Sequence, residues 1–346
     1  MSVFLRQFYR FCGDKPASVY QKFSIRIANF AYMCYNVYVK SIISDASATK
    51  RQTLSRRRIS GGTYMNHNIV ALIYDFDNTL STKDMQEFTF IPSLGMSPTD
   101  FWKQSDQLAH QYDMDHILAY MYLMATKAKE KDIHLTRDKL AEMGHDVKFF
   151  DGVKGWFRRI NAYGASLGLQ VRHYIISCGL KPMIEGCPIA KEFFNIFACD
   201  YVYDDNGEPV WPSVAINYTN KTQFLYRINR GIEDTSEDKQ LNMYMPADER
   251  VVPFSNMIYI GDGLTDVPSM KLTRTRGGYA VGVYRRPEDA RYLVDEERVD
   301  FYVKCDYRED SQMDVAMKRI LDKISAELRF EELSRQSSSI GDKKKG

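Results

Sequence analysis

Apolar positions fall along the chain in two patterns. Short unbroken runs occur at 69–74 (Ile-Val-Ala-Leu-Ile-Tyr), 171–176, 257–260, 279–284 and 301–303. They lack polar alternation, as strands do when a parallel sheet is covered on both faces. Stretches with helical spacing lie between or after them, at 155–165, 222–229 and 311–329. Strands alternating with helices imply an α/β fold, a doubly wound parallel sheet with right-handed crossovers.

Residues 84–150 break the alternation. Helical spacing at 99–111, 114–127 and 136–143, with Ser97-Pro98-Thr99-Asp100 as a start signal, predicts a helical cap inserted after the first strand. The α/β core is then 65–83 and 151–333. The stretch 203–210 reads as a hairpin, because Asn206-Gly207 supplies the positive φ of a tight turn. Residues 231–249 read as a polar surface excursion. The Ser/Lys-rich 334–346 reads as a disordered tail.

Composition sharpens this picture at one end. With 44% apolar and 27% charged residues, the 346-residue chain can bury a large core. The formal charge of +2 hides a split, +9 over residues 1–64 and −7 over the rest. The body therefore has no general affinity for nucleic acid. Three readings stand for the basic extension 1–64. It is an amphipathic helix over 19–43 in weak contact with a membrane surface, or a polyanion-binding arm. Otherwise it is not native, with Met65 as the start, since Gly61-Gly62 is encodable by a purine stretch that recruits bacterial ribosomes. Six scattered cysteines without CxxC spacing point to a reducing cytoplasm. No apolar run reaches the length of a membrane span, and no secretory signal is readable.

Four short motifs carry chemistry, each at a strand end or a helix start. Asp75-Phe76-Asp77-Asn78-Thr79 follows the first strand and places two carboxylates two residues apart. Like charges there need a cation or a proton, which suits a metal-assisted nucleophile beside a general acid/base. Ser177 ends the next strand and, with the backbone of Cys178-Gly179, can hold a phosphoryl oxygen. Lys221 precedes a helix and can neutralise phosphate and nucleophile. Gly261-Asp262-Gly263-Leu264-Thr265-Asp266 adds two carboxylates on a glycine-rich turn, hard oxygen donors suited to Mg²⁺.

In this order the motifs resemble the haloacid dehalogenase (HAD) superfamily, in the branch similar to phosphoserine phosphatases. The resemblance spans about residues 67–308: DxDxT as Asp75, Asp77 and Thr79, then Ser177, then Lys221, then the acidic pair Asp262 and Asp266. It implies a Rossmann-like core and a phosphomonoester hydrolase acting on a small phosphorylated metabolite. Asp75 would be the nucleophile, Asp77 the acid and then the base, and Lys221 the phosphate's counter-charge. Thr79, Ser177, Cys178 and Gly179 would surround the phosphoryl group. Mg²⁺ would sit on Asp75, Asp262 and the Asp77 carbonyl, with Asp266 behind them. Asp84 stands where that branch has a cap glutamate that contacts the substrate amine. Phosphotransfer or mutase chemistry, and a catalytically silent phosphate-binding protein, remain the alternatives.

Several residues have plainer readings. Cys178 lacks an activating histidine and reads as a buried thiol. His110, His116 and His145 read as ordinary helix residues. Phe88, Phe90, Trp102, Tyr112, Tyr120 and Tyr122 read as core rather than pocket. Arg158 and Arg159 read as the solvated face of a helix.

Overall fold

The computed structural model describes residues 68–342. The readings made for residues 1–64 lie outside them. The central strand β1, Ile69–Tyr74, pairs in parallel with β2, Gln170–Leu180, and with β5, Met257–Gly261. Outward from β2 come β3, Asn195–Tyr203, and the antiparallel edge strand β4, Pro209–Val214. Outward from β5 come β6, Tyr279–Tyr284, and β7, Phe301–Lys304. The order β4-β3-β2-β1-β5-β6-β7 reverses direction of growth at β1 and β5. Ligand sites of open α/β sheets lie at the carboxyl ends of strands at such a switch point.

After a single helical turn at Phe90–Ser93, three longer helices fill the insertion: α1 (Pro98–Tyr112), α2 (His116–Glu130) and α3 (Arg137–Gly144). Each has a side-chain cap. Ser97 Oγ accepts from Asp100 N, Asp115 Oδ1 from Ile117 N, and Thr136 Oγ1 from Lys139 N. Both ends of this insertion meet in a narrow neck. Ser81 bridges Phe149 in antiparallel fashion, Thr82 N donates to Lys148 O at 2.9 Å, and Phe150 N to Leu80 O at 3.1 Å.

Further helices include α4 (Val153–Ser166), α5 (Lys181–Glu185), α6 (Lys221–Arg230), α7 (Val267–Thr275) and α8 (Gln312–Asp342). Val70 through Tyr74 are wholly buried, so both faces of β1 are covered. Side chains alternate along a strand, and Tyr74 and Asp75 accordingly meet different helices. Tyr74 packs edge-on against Phe157 of α4, while Asp75 is bound by Lys221 of α6.

The Tyr74 side holds a buried polar chain whose directions can be deduced. Trp156 Nε1 can only donate, and does so to Tyr74 Oη at 2.8 Å. The Tyr74 proton then goes to His173 Nδ1 at 3.0 Å, which fixes the other tautomeric proton on Nε2, donated to Asn161 Oδ1 at 3.0 Å. Burial pushes the His173 imidazole down to about 3, so it stays neutral.

Three sequence expectations are corrected. Strand β2 does not end at Ser177 but runs to Leu180, its register against β3 shifting between Ile176 and Leu180. The last helix continues to Asp342, past Ser334, since no proline or glycine interrupts it before Gly341 and Arg335 pairs with Glu331 at 3.0 Å one turn back. Arg159 is not on a solvated face: it donates to Asp314 Oδ1 at 2.8 Å and to the Tyr307 carbonyl, tying α4 to α8. The turn at 204–208 has Gly207 at φ +80°, joining β3 to β4.

Candidate active site

The carboxyl ends of β1 and β2 and, through Thr265, the turn after β5 border a pocket of about 190 Å³, whose lining does not include Asp262. Asp75, Asp77, Asp84, Ser177, Cys178 and Gly179 all line it. Asp75 follows β1 directly, its amide held by Ile260 O of β5 at 2.9 Å. Asp77 reaches the same pocket from the turn beyond, where Met85 N donates to its Oδ1 at 2.8 Å. Asn78 then takes a left-handed conformation, φ +59°, which turns the chain away from the pocket. Thr79, read from sequence as a phosphate contact, is consequently buried outside the lining. Its hydroxyl donates to Asp262 Oδ1 at 3.4 Å.

Lys221 opens α6 and is fully buried. Its ammonium bonds Asp75 Oδ1 and Asp266 Oδ1, both at 2.8 Å. Burial opposes that charge, but Asp266 and Asp75 outweigh it and hold the ammonium protonated well above the usual lysine range. The same Asp266 oxygen also accepts from Tyr259 Oη at 2.7 Å. Lys221 is thus engaged by two carboxylates and is absent from the pocket lining, although the sequence also suggested a direct phosphate contact.

The carboxylates outnumber this one ammonium. Oxygens of Asp75, Asp262 and Asp266 lie within 4.8 Å of one another. Burial, offset in part by Lys221, pushes Asp75 up to about 7. Burial and then Asp84 and Asp75 push Asp77 well above the carboxylate range, and burial with Asp266 and Asp75 does the same to Asp262. Burial, and then Glu87, push Asp84 up to about 6, against the hydrogen bond from Asn78 Nδ2 at 2.9 Å. A hard divalent cation is what such an all-oxygen, charge-excess donor set accommodates.

On the β2 side, Gly179 N donates to Ser177 Oγ at 2.9 Å. A Cβ at Gly179 would lie 2.1 Å from Met85 Cε and 2.9 Å from Asp77 Oδ2, so a larger residue there would have to displace the end of the Met85 side chain and the acid. Burial raises the Cys178 thiol, which keeps it from acting as a thiolate.

Sequence reasoning missed part of the lining. Trp102 and Tyr120, assigned to the core, face the pocket together with Gln86, Ile117 and Tyr218. Helical periodicity marks a buried face without telling core from cavity. His110, His116 and His145 do not line it. Tyr259 was also missed, though its place two residues before Gly261 puts it on the same side of β5.

No family model matches the chain. A protein of Borreliella burgdorferi described only as uncharacterized is 28% identical over an alignment of 275 residues, covering 71% of this chain and 94% of the relative. Solved structures with a similar backbone include a HAD family hydrolase from Salmonella enterica serovar Typhi. It is 18% identical, with 69% of this chain and 68% of that chain covered and a TM-score of 0.45. An apo phosphoserine phosphatase is 14% identical, with 69% and 96% covered and a TM-score of 0.45. Cytosolic 5′-nucleotidase IIIB bound to cytidine is 16% identical, with 78% and 88% covered and a TM-score of 0.42. At such distance the reaction has to be read from the site itself.

Proposed function

We propose that the protein is a Mg²⁺-dependent phosphomonoester hydrolase of the HAD type, acting through an aspartyl-phosphate on a small phosphorylated metabolite. The observation that carries this reading is the pairing of Asp75 and Asp77 on one pocket, with Asp75 bound to the buried Lys221 and grouped with Asp262. Asp75 attacks phosphorus, and the bond to the leaving oxygen breaks. Asp77 gives that oxygen its proton, a role that fits a carboxyl held protonated by its surroundings. The same group then takes a proton from the water that opens the acyl-phosphate, and inorganic phosphate leaves. Lys221 favours the ionised form of Asp75 and aims its carboxylate. Ser177 and the backbone after it hold phosphoryl oxygens.

Asp75 and Asp262 would hold the magnesium ion, since the Asp266 oxygens are engaged by Lys221, Tyr259 and Gly263 N. When bound, the ion supplies positive charge to the phosphoryl oxygens. The insertion 84–150 serves as a cap that excludes water during transfer. We also place the reaction in a reducing compartment, the cytoplasm, which suits the free Cys178, Cys187, Cys199 and Cys305. Among the described residues no helix is long and apolar enough to cross a membrane.

The test is phosphate release from a panel of phosphomonoesters with Mg²⁺ or chelator, for wild type and Asp75→Asn. Release that needs both the metal and Asp75 is the expected result. Absence of release from every ester, by folded and metal-loaded protein, would turn the reading toward a silent phosphate-binding protein. A transferred rather than released phosphoryl group would mark a phosphotransferase.

A further inference from the structure

The carboxyl edge of the sheet holds a second cavity, of about 270 Å³, where β6 and β7 end beside the neck. Tyr284 and Lys304 are register partners at the last positions of those strands, and both line it. Thr82 and Phe150, whose amides and carbonyls build the neck, line it too. The two walls are joined backbone to backbone. Tyr307 N donates to Asp151 O at 2.8 Å, and a Cβ at Gly152 would lie 2.3 Å from Arg308 N. A ligand in this cavity therefore meets the core on one side and the root of the insertion on the other.

The charge of this cavity is opposite to that of the active pocket. Asp75, Asp77 and Asp84 line the active pocket, and no lysine or arginine is in its lining. Arg285, Lys304 and Arg308 line the neck cavity, against Asp151 and Asp306. Arg308 is engaged by these acids: its Nε donates to Asp306 Oδ1 at 2.9 Å, and its Nη1 lies 3.9 Å from Asp151 Oδ2. Arg285 and Lys304 have no carboxylate within ion-pair distance among the described residues.

Arg285 is held in place without being neutralised. It donates to the uncharged Asn78 Oδ1, and its guanidinium lies over the Phe150 ring, 5.9 Å from the centroid. Its charge also acts on Asp84, offsetting part of the rise that burial and Glu87 impose. A guanidinium has five N–H donors in a planar fork, so most of them remain for a ligand. Two cations without carboxylates on neighbouring strand ends suit a phosphate group, which carries nearly two charges near neutral pH and three acceptor oxygens. A carboxylate would match only one of them.

We propose that the neck cavity is a second phosphate-group site, separate from the active pocket. Arg285 and Lys304 hold the dianion of free phosphate or of a small phosphate ester, and the bound ligand pins the root of the insertion to the ends of β6 and β7. No bond is made or broken there. The site is independent of the phosphatase reading, and its test measures binding rather than turnover.

The experiment is calorimetric titration of the full chain, freed of metal so that no ester is turned over, with inorganic phosphate, glycerol 3-phosphate and acetate at pH 7.5. One phosphate or ester should bind per chain, and acetate should bind at least tenfold more weakly. Lys304→Gln and Arg285→Gln should each weaken binding by about tenfold or more, as for loss of a charge-assisted contact. Asp151→Asn should tighten it, and Ser177→Ala should leave it unchanged. Tighter binding of phosphate assigns the free ion, and tighter binding of glycerol 3-phosphate assigns an ester. Binding that survives in Lys304→Gln but is lost in Ser177→Ala places the anion in the active pocket and overturns the proposal. Absence of binding at millimolar phosphate overturns it as well, as does acetate binding equally tightly. Hydrogen exchange tests the pinning: saturating phosphate should slow the amides of Thr82 and Phe150 several-fold in wild type and not in Lys304→Gln. Unchanged exchange in phosphate-loaded wild type overturns that part.

Discussion

Tyr74 and Asp75 are consecutive residues on opposite sides of one sheet, and each sits in a buried polar cluster of a different kind. On the Tyr74 side, Trp156, Tyr74, His173 and Asn161 form a neutral chain in which each donor meets an acceptor. On the Asp75 side, three grouped carboxylates share one ammonium, and burial, with the neighbouring carboxylates, lifts the pKa values of Asp75 and Asp262. Satisfied networks rigidify a core, whereas unbalanced buried charge is retained where chemistry or a ligand completes it. The contrast separates a buried histidine in a satisfied neutral chain from buried aspartates whose charge is left unbalanced.

The sharpest way to break this comparison is Asp75→Asn. In the Mg²⁺-dependent release assay kcat should fall by roughly 10⁴-fold or more, as for loss of a covalent nucleophile. The fold should survive, because the change removes a charge from an overcharged cluster; circular dichroism and thermal melting would show it. Lys221→Met should lower stability as well as activity, leaving Asp75 and Asp266 without their cation. The expected loss is about 3–5 kcal/mol in urea unfolding at pH 8. It should shrink at pH 5, where carboxylates already raised in pKa take up protons. If the loss is the same at both values, the ammonium is not balancing those charges.

Tyr74→Phe should have the reverse profile. It deprives Trp156 Nε1 and His173 Nδ1 of their partner and should cost about 1–3 kcal/mol of stability. Turnover should change little; a large fall in kcat with intact stability would contradict a structural role for this chain.

The smallest effect is in pH dependence, where the two sides have opposite signs. Asp75, Asp77 and Asp262 have native pKa values above the ordinary 3.8. Their contribution is complete below about 4 and is lost as pH rises, through about 7 for Asp75. His173 is depressed from 6.5 to about 3, so its contribution is present above 6.5 and is lost as pH falls toward 3. Mg²⁺ requires ionised ligands and acts on the carboxylate side alone. The Tm difference between Mg²⁺-loaded and metal-free protein should therefore grow from pH 4 to 8, by about 2–4 °C for each kcal/mol of linkage. A difference independent of pH would mean that these carboxylates do not hold the ion.

Much of the fold and site was legible in the chain because the chemistry is local to strand ends. Continuous apolar runs mark β1, β5 and β6, and the residue after a buried strand must lie at the sheet's carboxyl edge. Asp75 and Asp262 could thus be placed from spacing alone. Thr79 could not, because the left-handed turn at Asn78 depends on packing that spacing does not encode. Trp102, Tyr120 and Gln86 were illegible as pocket residues for a related reason. A residue on the buried face of an inserted helix meets either core atoms or empty space, and which one depends on how that helix closes over a distant strand. The course of β2 beyond Ser177 escaped because Gly179 reads as a break, whereas here the bare backbone admits Met85 and Asp77.

The neck at Ser81 and Phe149 bears on inheritance as well as on architecture. The insertion leaves and rejoins the core within one short ladder, so the rest of the fold meets it as it would a tight turn. Lengthening a loop whose ends are already held together is cheap, about 0.6 kcal/mol per doubling. Mutation can then enlarge, shorten or rewrite 84–150 while β1, β2 and β5 keep their register. Asp84, Gln86, Trp102, Ile117 and Tyr120 of the pocket wall lie in that one exchangeable stretch of gene, whereas the residues to which the proposed function gives the phosphoryl chemistry lie outside it. A lineage could change its substrate without relearning its reaction.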